Sequence, residues 1–359
     1  MGIKKLDKYI IKKFLGTFFL SIALIISIAV VFDITEKIDD FMENNAPLSA
    51  IVVDYYFNFI PYYASLFSPL FTFIAVIFFT SKMADNSEII ATFASGISFH
   101  RFVLPYMAAA SVIAVMSFIL GSFVIPPANK HRIDFEEVYV KKTQKDQAIK
   151  IQMKVTEDEI LFIDYYDKSI QTGRRASFDK FDGKTLKTRI TAQEIVWEGG
   201  HNWRMNNYTK REFNGLYENI SNGSTMKLEL NVIPADFFVF SSMQEQMTTG
   251  ELREYIQRQR ERGVGNIKDF EIEYEKRFSF PFAAFILTII GVSLSSKKVK
   301  GGMGINLFLG LLLSCIYILF YSLSSTFAVS GTLSPRLAVW LPNITFSIIA
   351  YILYRKAPK

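Results

Sequence analysis

Near its start the chain reads Phe14-Leu-Gly-Thr-Phe-Phe-Leu-Ser-Ile-Ala-Leu-Ile-Ile-Ser-Ile-Ala-Val-Val-Phe32, a run without a charged side chain. An α-helix of about 20 apolar residues crosses a hydrocarbon core of roughly 30 Å. The run exceeds the apolar core of a signal peptide, about 7–15 residues, so we expect it to remain as a membrane helix. Five further uncharged runs predict five more spans: Tyr55–Ser81, Phe102–Asn129, Phe278–Ser296, Gly301–Pro335 and Leu337–Tyr354.

The six runs form two groups of three, separated by a long polar segment that is rich in charge. This layout predicts a membrane α-helical protein with six transmembrane helices (3+3) and one large inserted domain. We expect residues 1–129 to hold the first three spans, residues 130–265 the inserted domain with a linker helix, and residues 266–359 the last three spans.

The distribution of charge predicts the orientation of the spans. Basic residues precede the first span, fill the loop between spans four and five, and end the chain, whereas the loop after the first span is acidic. By the positive-inside rule both termini are cytoplasmic and the inserted domain lies on the outer side. The formal charge of +6 is explained by these helix ends, so we expect no nucleic-acid partner.

The inserted segment has the pattern of an all-β domain. Glu159–Tyr166, Thr191–Trp197 and Trp203–Tyr208 alternate apolar and polar residues, as strands do. These strands predict an antiparallel sandwich, barrel or jelly roll, with two packed hairpins on a helix as the alternative. Three stretches have turn composition: Glu198-Gly-Gly-His-Asn202, Phe181-Asp-Gly-Lys-Thr185 and Ser221-Asn-Gly-Ser224.

A linker helix follows the predicted strands. Thr248-Thr-Gly-Glu251 has the spacing of a capping box and predicts a helix to about Arg262, which Gly263 ends. A second helix from about Asn266 then leads into the fourth span.

The chain offers no catalytic, cofactor or metal constellation. Its three histidines are not at ligand spacing, and the one cysteine, Cys315, lies within a predicted span. Gly183-Lys-Thr resembles the end of a phosphate loop, but Phe178 stands where that motif requires glycine. We therefore expect a non-enzymatic protein, and any ATP and magnesium would be bound by another subunit. The span centres lack ionisable residues, which disfavours a secondary transporter that acts alone.

The loop between spans two and three predicts a short amphipathic helix at about residues 85–97. Asn86 or Ser87 would cap this helix, and Ile89, Phe93 and Ile97 recur on one face. Such a helix is either a docking element for a soluble partner or an ordinary interfacial connection. The predicted docking residues are Ser87, Glu88, Ile89, Phe93 and Gly96.

Several motifs, in matching order along the whole chain, resemble the LptF/LptG family, the membrane subunits of the lipopolysaccharide-export ABC transporter. The loop Ser87-Glu-Ile-Ile-Ala-Thr-Phe-Ala-Ser-Gly-Ile-Ser98 is the most specific of them. The others are Leu6-Asp-Lys-Tyr-Ile10, Glu275-Lys-Arg-Phe-Ser-Phe-Pro281, Pro335-Arg-Leu-Ala-Val-Trp-Leu-Pro-Asn343, and the pair Trp197 and Trp203 around a Gly-Gly turn. The opening motif favours LptG over LptF.

The resemblance implies a protein of the bacterial inner membrane with a periplasmic β-jellyroll. It implies a partner permease, LptF or LptG, and an LptB-like ATPase dimer that binds ATP and magnesium and receives the Glu88 helix in a groove. Lipopolysaccharide would pass to LptC/LptA-like jellyroll proteins by strand addition at an open edge, and spans one and five would form lateral gates.

One departure from the family concerns the lipid headgroup. Better-studied members carry several basic residues near the outer end of span one, whereas here Asp33–Glu43 is acidic and contains one cation. Either the substrate headgroup carries fewer phosphates or the contacts come from elsewhere. The headgroup candidates are Lys37, Lys130, Arg132 and Arg336.

Two other functions fit the same layout. The chain could be the permease of another lipid or lipoprotein ABC exporter, which a co-purified peptide rather than a phosphorylated glycolipid would reveal. It could also be a membrane-anchored periplasmic ligand-binding sensor, which would need no ATPase.

Overall fold

The computed structural model describes residues 4–140, 147–156, 158–215, 217–237, 243–261, 267–297 and 302–357. The chain divides into two compact units. The first, a helical unit, comprises Met1–Val140, Glu245–Thr249 and Lys268–Lys359, and the second comprises Lys141–Gln244 and Gly250–Ile267.

The amino-terminal half of the helical unit consists of three long helical rods and one short helix. A π-helical segment, Ile51–Tyr56, joins α2 to α3, and a second, Leu120–Val124, joins α5 to α6, so each pair is one rod. The helices are α1 (Lys5–Glu43), α2 (Leu48–Ala50), α3 (Phe57–Asp85), α4 (Glu88–Ala94), α5 (Phe99–Ile119) and α6 (Ile125–Tyr139).

Where the structure describes the second unit, it contains one antiparallel sheet whose six strands follow chain order, which is a meander. The prediction of an inserted all-β domain is confirmed. The strands are β1 (Gln147–Thr156), β2 (Glu159–Asp167), β3 (Thr172–Asp182), β4 (Thr185–Gly199), β5 (Asn202–Asn214) and β6 (Tyr217–Glu229).

Two of the three predicted turns are confirmed. Gly199 and Gly200, with φ of 111° and 57°, connect β4 to β5, and Gly183, with φ of 61°, connects β3 to β4. The turn predicted at 221–224 is wrong, because these residues lie inside β6 and Gly223 pairs with Tyr208 of β5. A Cβ at Gly223 would collide with the Tyr208 ring. Glycine is therefore needed at this position for a close approach rather than for a bend.

The buried face of the sheet forms an apolar core around Trp203, which is fully buried. Its ring lies against Tyr166 and Phe237, with centroid distances of 6.2 and 5.4 Å. The Trp203 indole N–H donates to the Val232 carbonyl at 3.0 Å, so the chain after β6 closes over the sheet.

Beyond the sheet, most of the described residues are helical. A 3₁₀ turn, Pro234–Phe237, precedes α7 (Met243–Gln246), α8 (Thr249–Glu261), α9 (Lys268–Ser295), α10 (Gly302–Val329) and α11 (Pro335–Lys356). The linker helix is confirmed as α8, while its predicted end at Arg262 and Gly263 and the predicted helix start at Asn266 lie outside the described residues.

Within the described residues, six helices are long and apolar enough to cross a membrane, which confirms the predicted number of spans. Helix α9 is central and contacts α3, α5, α10 and α11. A Cβ at Gly291 would lie 2.7 Å from a Val76 methyl, so glycine permits the close approach of α9 to α3. The chain itself covers little of α1 and α10, where 17% and 22% of the most apolar window is buried.

Candidate functional site

The short helix α4 packs its predicted apolar face into an apolar cluster that α1, α3 and α5 share. Ile89 is 1% exposed, and the Phe93 ring lies 6.3 Å from that of Phe99 and 5.5 Å from that of Phe102. Ile97 packs against the same cluster. These contacts fix α4 to the helical bundle through one face.

The opposite face of α4 is open and apolar. Ile90 is 58% exposed, and Ala91 and Ala94 are exposed beside it. Sequence reasoning missed this face. The signal was present, because two consecutive isoleucines, Ile89 and Ile90, point to different sides of a helix and so indicate a helix that is apolar on two sides. Small side chains around one branched side chain form a shape that fits a shallow groove.

The start of α4 differs from the predicted cap. Ser87 has left-handed backbone with φ of 60°, and its side chain makes no capping hydrogen bond. Asn86 instead donates its side-chain N–H to Glu88 Oε1 at 3.2 Å. At the other end Gly96, with φ of 84°, donates its backbone N–H to the Phe93 carbonyl at 2.9 Å, the arrangement expected of a C-terminal glycine.

The Glu88 carboxylate is half-buried and is contacted by helix α1 and by its own loop. The Tyr9 hydroxyl of α1 donates to Glu88 Oε2 at 3.4 Å, while Asn86 holds the other oxygen. Glu88 also stands in the first turn of α4, where the helix dipole favours a carboxylate. Its position is therefore set by α1 as well as by its own loop.

A two-point ion pair lies near this site and joins α1 to α5. The two guanidinium nitrogens of Arg101 donate to the two carboxylate oxygens of Asp7 at 2.8 and 2.6 Å. Asp7 also accepts from the backbone N–H of Lys4 at 2.9 Å, which closes the first turn of α1. Sequence reasoning missed the pair because 94 positions separate its members.

At the other end of α1, two of the four headgroup candidates are already paired. Lys37 contacts Asp33 at 2.9 Å and Glu136 at 3.4 Å, and Arg132 contacts Glu136 at 3.0 Å. The Arg132 guanidinium also lies over the Tyr62 ring, 5.1 Å from its centroid. Two acids and two bases thus neutralise one another.

Aromatic side chains enclose this charge cluster. Tyr55 is fully buried, donates its hydroxyl to Asp33 at 3.1 Å and hydrogen-bonds to Lys37. Its ring lies against Phe41 and Phe135, with centroid distances of 5.8 and 5.3 Å. The other two candidates, Lys130 and Arg336, are exposed.

A small polar cavity of about 60 Å³ lies between α3, α5, α6, α7 and α9. Lys276 and Arg277 line it together with Glu273, which lies 3.4 Å from the amine and 3.3 Å from the guanidinium. Burial, and then the neighbouring charge of Glu273, raise the pKa of Glu245 on the cavity wall. The charges of Glu245, Glu273, Lys276 and Arg277 sum to zero, so the cavity resembles a structural charge cluster rather than a binding site for one sign of charge.

Two larger cavities are apolar. One, of 430 Å³, lies between α1, α3 and α5, with Phe19, Ile60 and Met116 on its walls. The other, of 460 Å³, lies between α9 and α11 beside Trp340. In the described part of the chain, no three acidic, histidine or cysteine side chains converge as a metal site would require.

Comparison with known proteins agrees with this architecture. The family described as lipopolysaccharide export system permease LptF/LptG matches residues 8–356, which is nearly the whole chain. A search of curated proteins found no match. Six membrane-type helices with a six-stranded sheet between the third and the fourth fit that family. The chain therefore belongs to the LptF/LptG family of lipopolysaccharide export system permeases.

Proposed function

We propose that this chain is one of two permease subunits that extract lipopolysaccharide from the inner membrane and pass it to a periplasmic jellyroll bridge. ATP hydrolysis in a separate ATPase subunit drives the cycle, and this subunit, rather than the permease, binds ATP and magnesium. Family membership over residues 8–356 supports transport, and the two-faced helix α4 is the observation that carries the link to an ATPase.

Helix α4 is suited to transmit force from a soluble domain. Its inner face is buried, through Ile89 and Phe93, in the apolar cluster that α1, α3 and α5 share, while Ile90 on its outer face is free to enter a groove. Glu88 stands at the edge between these faces, where a cation of the partner can approach it. A rigid element with one face on each body converts closure of one body into movement of the other.

The partner permease, LptF or LptG, would cover α1 and α10. These two spans have the smallest buried fractions of the six, and their exposed faces carry large apolar side chains such as Leu20 and Leu319. Contact along these spans would form the lateral gates through which lipid enters. The 430 Å³ apolar cavity beside α1 has room for part of an acyl chain.

We assign the headgroup contacts to the exposed cations and the exit path to the edge strands of the sheet. Lys130 and Arg336 are exposed and could meet lipid phosphates, whereas Lys37 and Arg132 are engaged with Glu136.

In the described sheet β1 and β6 are the edges, and Ile149 and Ile220 on these strands are 67% and 49% exposed. Such an edge accepts a strand of an LptC/LptA-like jellyroll protein by backbone pairing.

The proposal is tested by purifying the chain from membranes in mild detergent and identifying its protein and lipid companions by mass spectrometry. We expect a second permease, an ATPase and a phosphorylated glycolipid. Recovery of peptides or lipoproteins would favour another exporter, and the absence of any ATPase would favour a sensor. Reporter fusions at residues 88 and 200 test the orientation, and both on one side of the membrane would contradict it.

A further inference from the structure

The first two turns of α1 contact both the candidate docking helix α4 and the helix that follows it, α5. Asp7 pairs with Arg101 of α5, and two positions later the Tyr9 hydroxyl reaches Glu88 of α4. Ile10, fully buried, lies in the same apolar cluster as Ile89. Polar and apolar contacts therefore bring α1, α4 and α5 together at one end of the helical unit.

The ion pair has the geometry of a clamp rather than of a loose surface contact. Both carboxylate oxygens and two guanidinium nitrogens take part, and Asp7 is 8% exposed. A planar guanidinium in this geometry fixes orientation as well as distance, which a lysine ammonium does not. The pair therefore resists rotation of α1 relative to α5.

We propose that Asp7 and Arg101 are positioning residues for coupling: they lock the start of α1 to α5, so that a displacement of α4 moves α1 as a rigid body. Without the pair, α4 and α5 would move and α1 would stay in place, because the displacement would only distort the first turns of α1. This inference rests on the proposed function, because it gives α1 the task of moving a lateral gate. In this role, Asp7 and Arg101 act without contacting lipid or nucleotide.

The first test uses the purified full chain without partners. Cys315→Ser removes the native thiol, and spin labels at Leu20→Cys and Ile90→Cys, both exposed positions, report the distance from α1 to α4. Leu20 lies about 20 Å along the helix from Asp7, at roughly 1.5 Å per residue, which suits pulsed dipolar spectroscopy. We expect a narrow distance distribution in the parent, a broad one in Asp7→Asn and Arg101→Lys, and a narrower one again in Asp7→Arg with Arg101→Asp.

The matched control is Lys8→Gln, which removes an exposed charge from the adjacent position of the same helix. Its distribution should equal that of the parent. A narrow distribution in Asp7→Asn, or no narrowing on charge reversal, would overturn the inference whatever the chain transports.

The second test measures ATP hydrolysed per lipid released by the assembled complex in vesicles. We expect Asp7→Asn to raise this ratio about fivefold or more, with ATP hydrolysis retained, and charge reversal to restore part of the coupling. Normal coupling in Asp7→Asn, with export by the parent, would remove the inference and leave the proposed function intact. A parent complex that exports no lipid would count against the proposed function, and the spin-label result alone would then decide the inference.

Discussion

The two ends of α1 are both joined to the third membrane rod by ion pairs, but the two arrangements differ. At the start of α1, one acid and one base form a single two-point contact, Asp7 with Arg101. At the far end, Asp33 and Lys37 of α1 meet Arg132 and Glu136 of α6 in a cluster enclosed by aromatic rings.

The two ends therefore have different roles. The far end neutralises its own charges, whereas the start of α1 supports an exposed apolar surface on α4. The cluster at the far end satisfies its own charges, so it stabilises the bundle and engages both of its cations, Lys37 and Arg132. The start of α1 instead supports α4, whose Ile90 side chain is 58% exposed. Four substitutions test this comparison.

The largest effect is expected from Glu136→Leu in the far-end cluster. The buried Glu136 is shared by Lys37 and Arg132, so its removal leaves two half-buried cations with one carboxylate. Removing one partner of a buried ion pair costs about 3–5 kcal/mol. Thermal unfolding in detergent measures this loss, and His131→Leu, at an exposed position of the same helix, is the control for adding an apolar side chain. Equal stability of the two variants would show that the cluster is not structural.

The second substitution tests the exposed apolar face of α4. In Ile90→Glu, a carboxylate would lose its hydration within an apolar interface, which costs several kcal/mol when it is unpaired. We expect recovery of the ATPase in pull-down to fall about a hundredfold, which corresponds to ~2.7 kcal/mol. Unfolding of the isolated chain should remain unchanged because Ile90 is exposed.

Thr92→Gln on the same helix serves as the control for that experiment. Its side chain is partly buried, and its hydroxyl bonds within the helix to the Glu88 carbonyl at 2.7 Å. It should retain binding. Full ATPase recovery with Ile90→Glu would show that the open face of α4 is not the docking surface.

A smaller effect is expected for Lys37→Met. After this change Asp33 keeps the hydroxyls of Tyr55 and Tyr56, and Glu136 keeps Arg132, so each acid retains a partner. A loss of about 1 kcal/mol of unfolding free energy is expected, the typical value for a hydrogen bond. Lipid release should change less than in Lys130→Ala, because Lys130 is exposed and Lys37 is engaged. The reverse order in a vesicle release assay would restore Lys37 as a headgroup ligand.

The smallest effect is a pH dependence at the polar cavity. Burial raises the pKa of Glu245, so the folded chain holds this proton more tightly than the unfolded chain does. The associated stability is present below the ordinary carboxyl pKa and is lost as pH rises through the raised value. Glu245→Gln should therefore be more stable than the parent at neutral pH and equal to it in acid. A difference that persists at low pH would point to packing instead.

The sequence predicts well what depends on neighbours along the chain. Uncharged runs located all six spans, and paired glycines located the β4–β5 turn, because each signal is local. The turn predicted at 221–224 failed because the reason for Gly223 lies on another strand, in the ring of Tyr208.

The candidate site shows the same limit more strongly. The apolar face of α4 was visible from the spacing of Ile89 and Phe93, but the partners of the charged residues were not. Lys37 looked like a ligand for phosphate, since its partner Glu136 lies 99 positions away. A charge in a sequence is visible without the residue that neutralises it, and folding decides which cations remain available.

The consecutive order of β1 to β6 has a consequence for biosynthesis. In the described residues, every pairing in the sheet joins strands that are adjacent along the chain, so each hairpin can form as soon as its second strand has been synthesised. The sheet need not wait for α9 to α11 to be made. Maturation of this domain and insertion of the last three helices can thus proceed as separate events, the first protecting exposed strand edges from aggregation while the second is still under way.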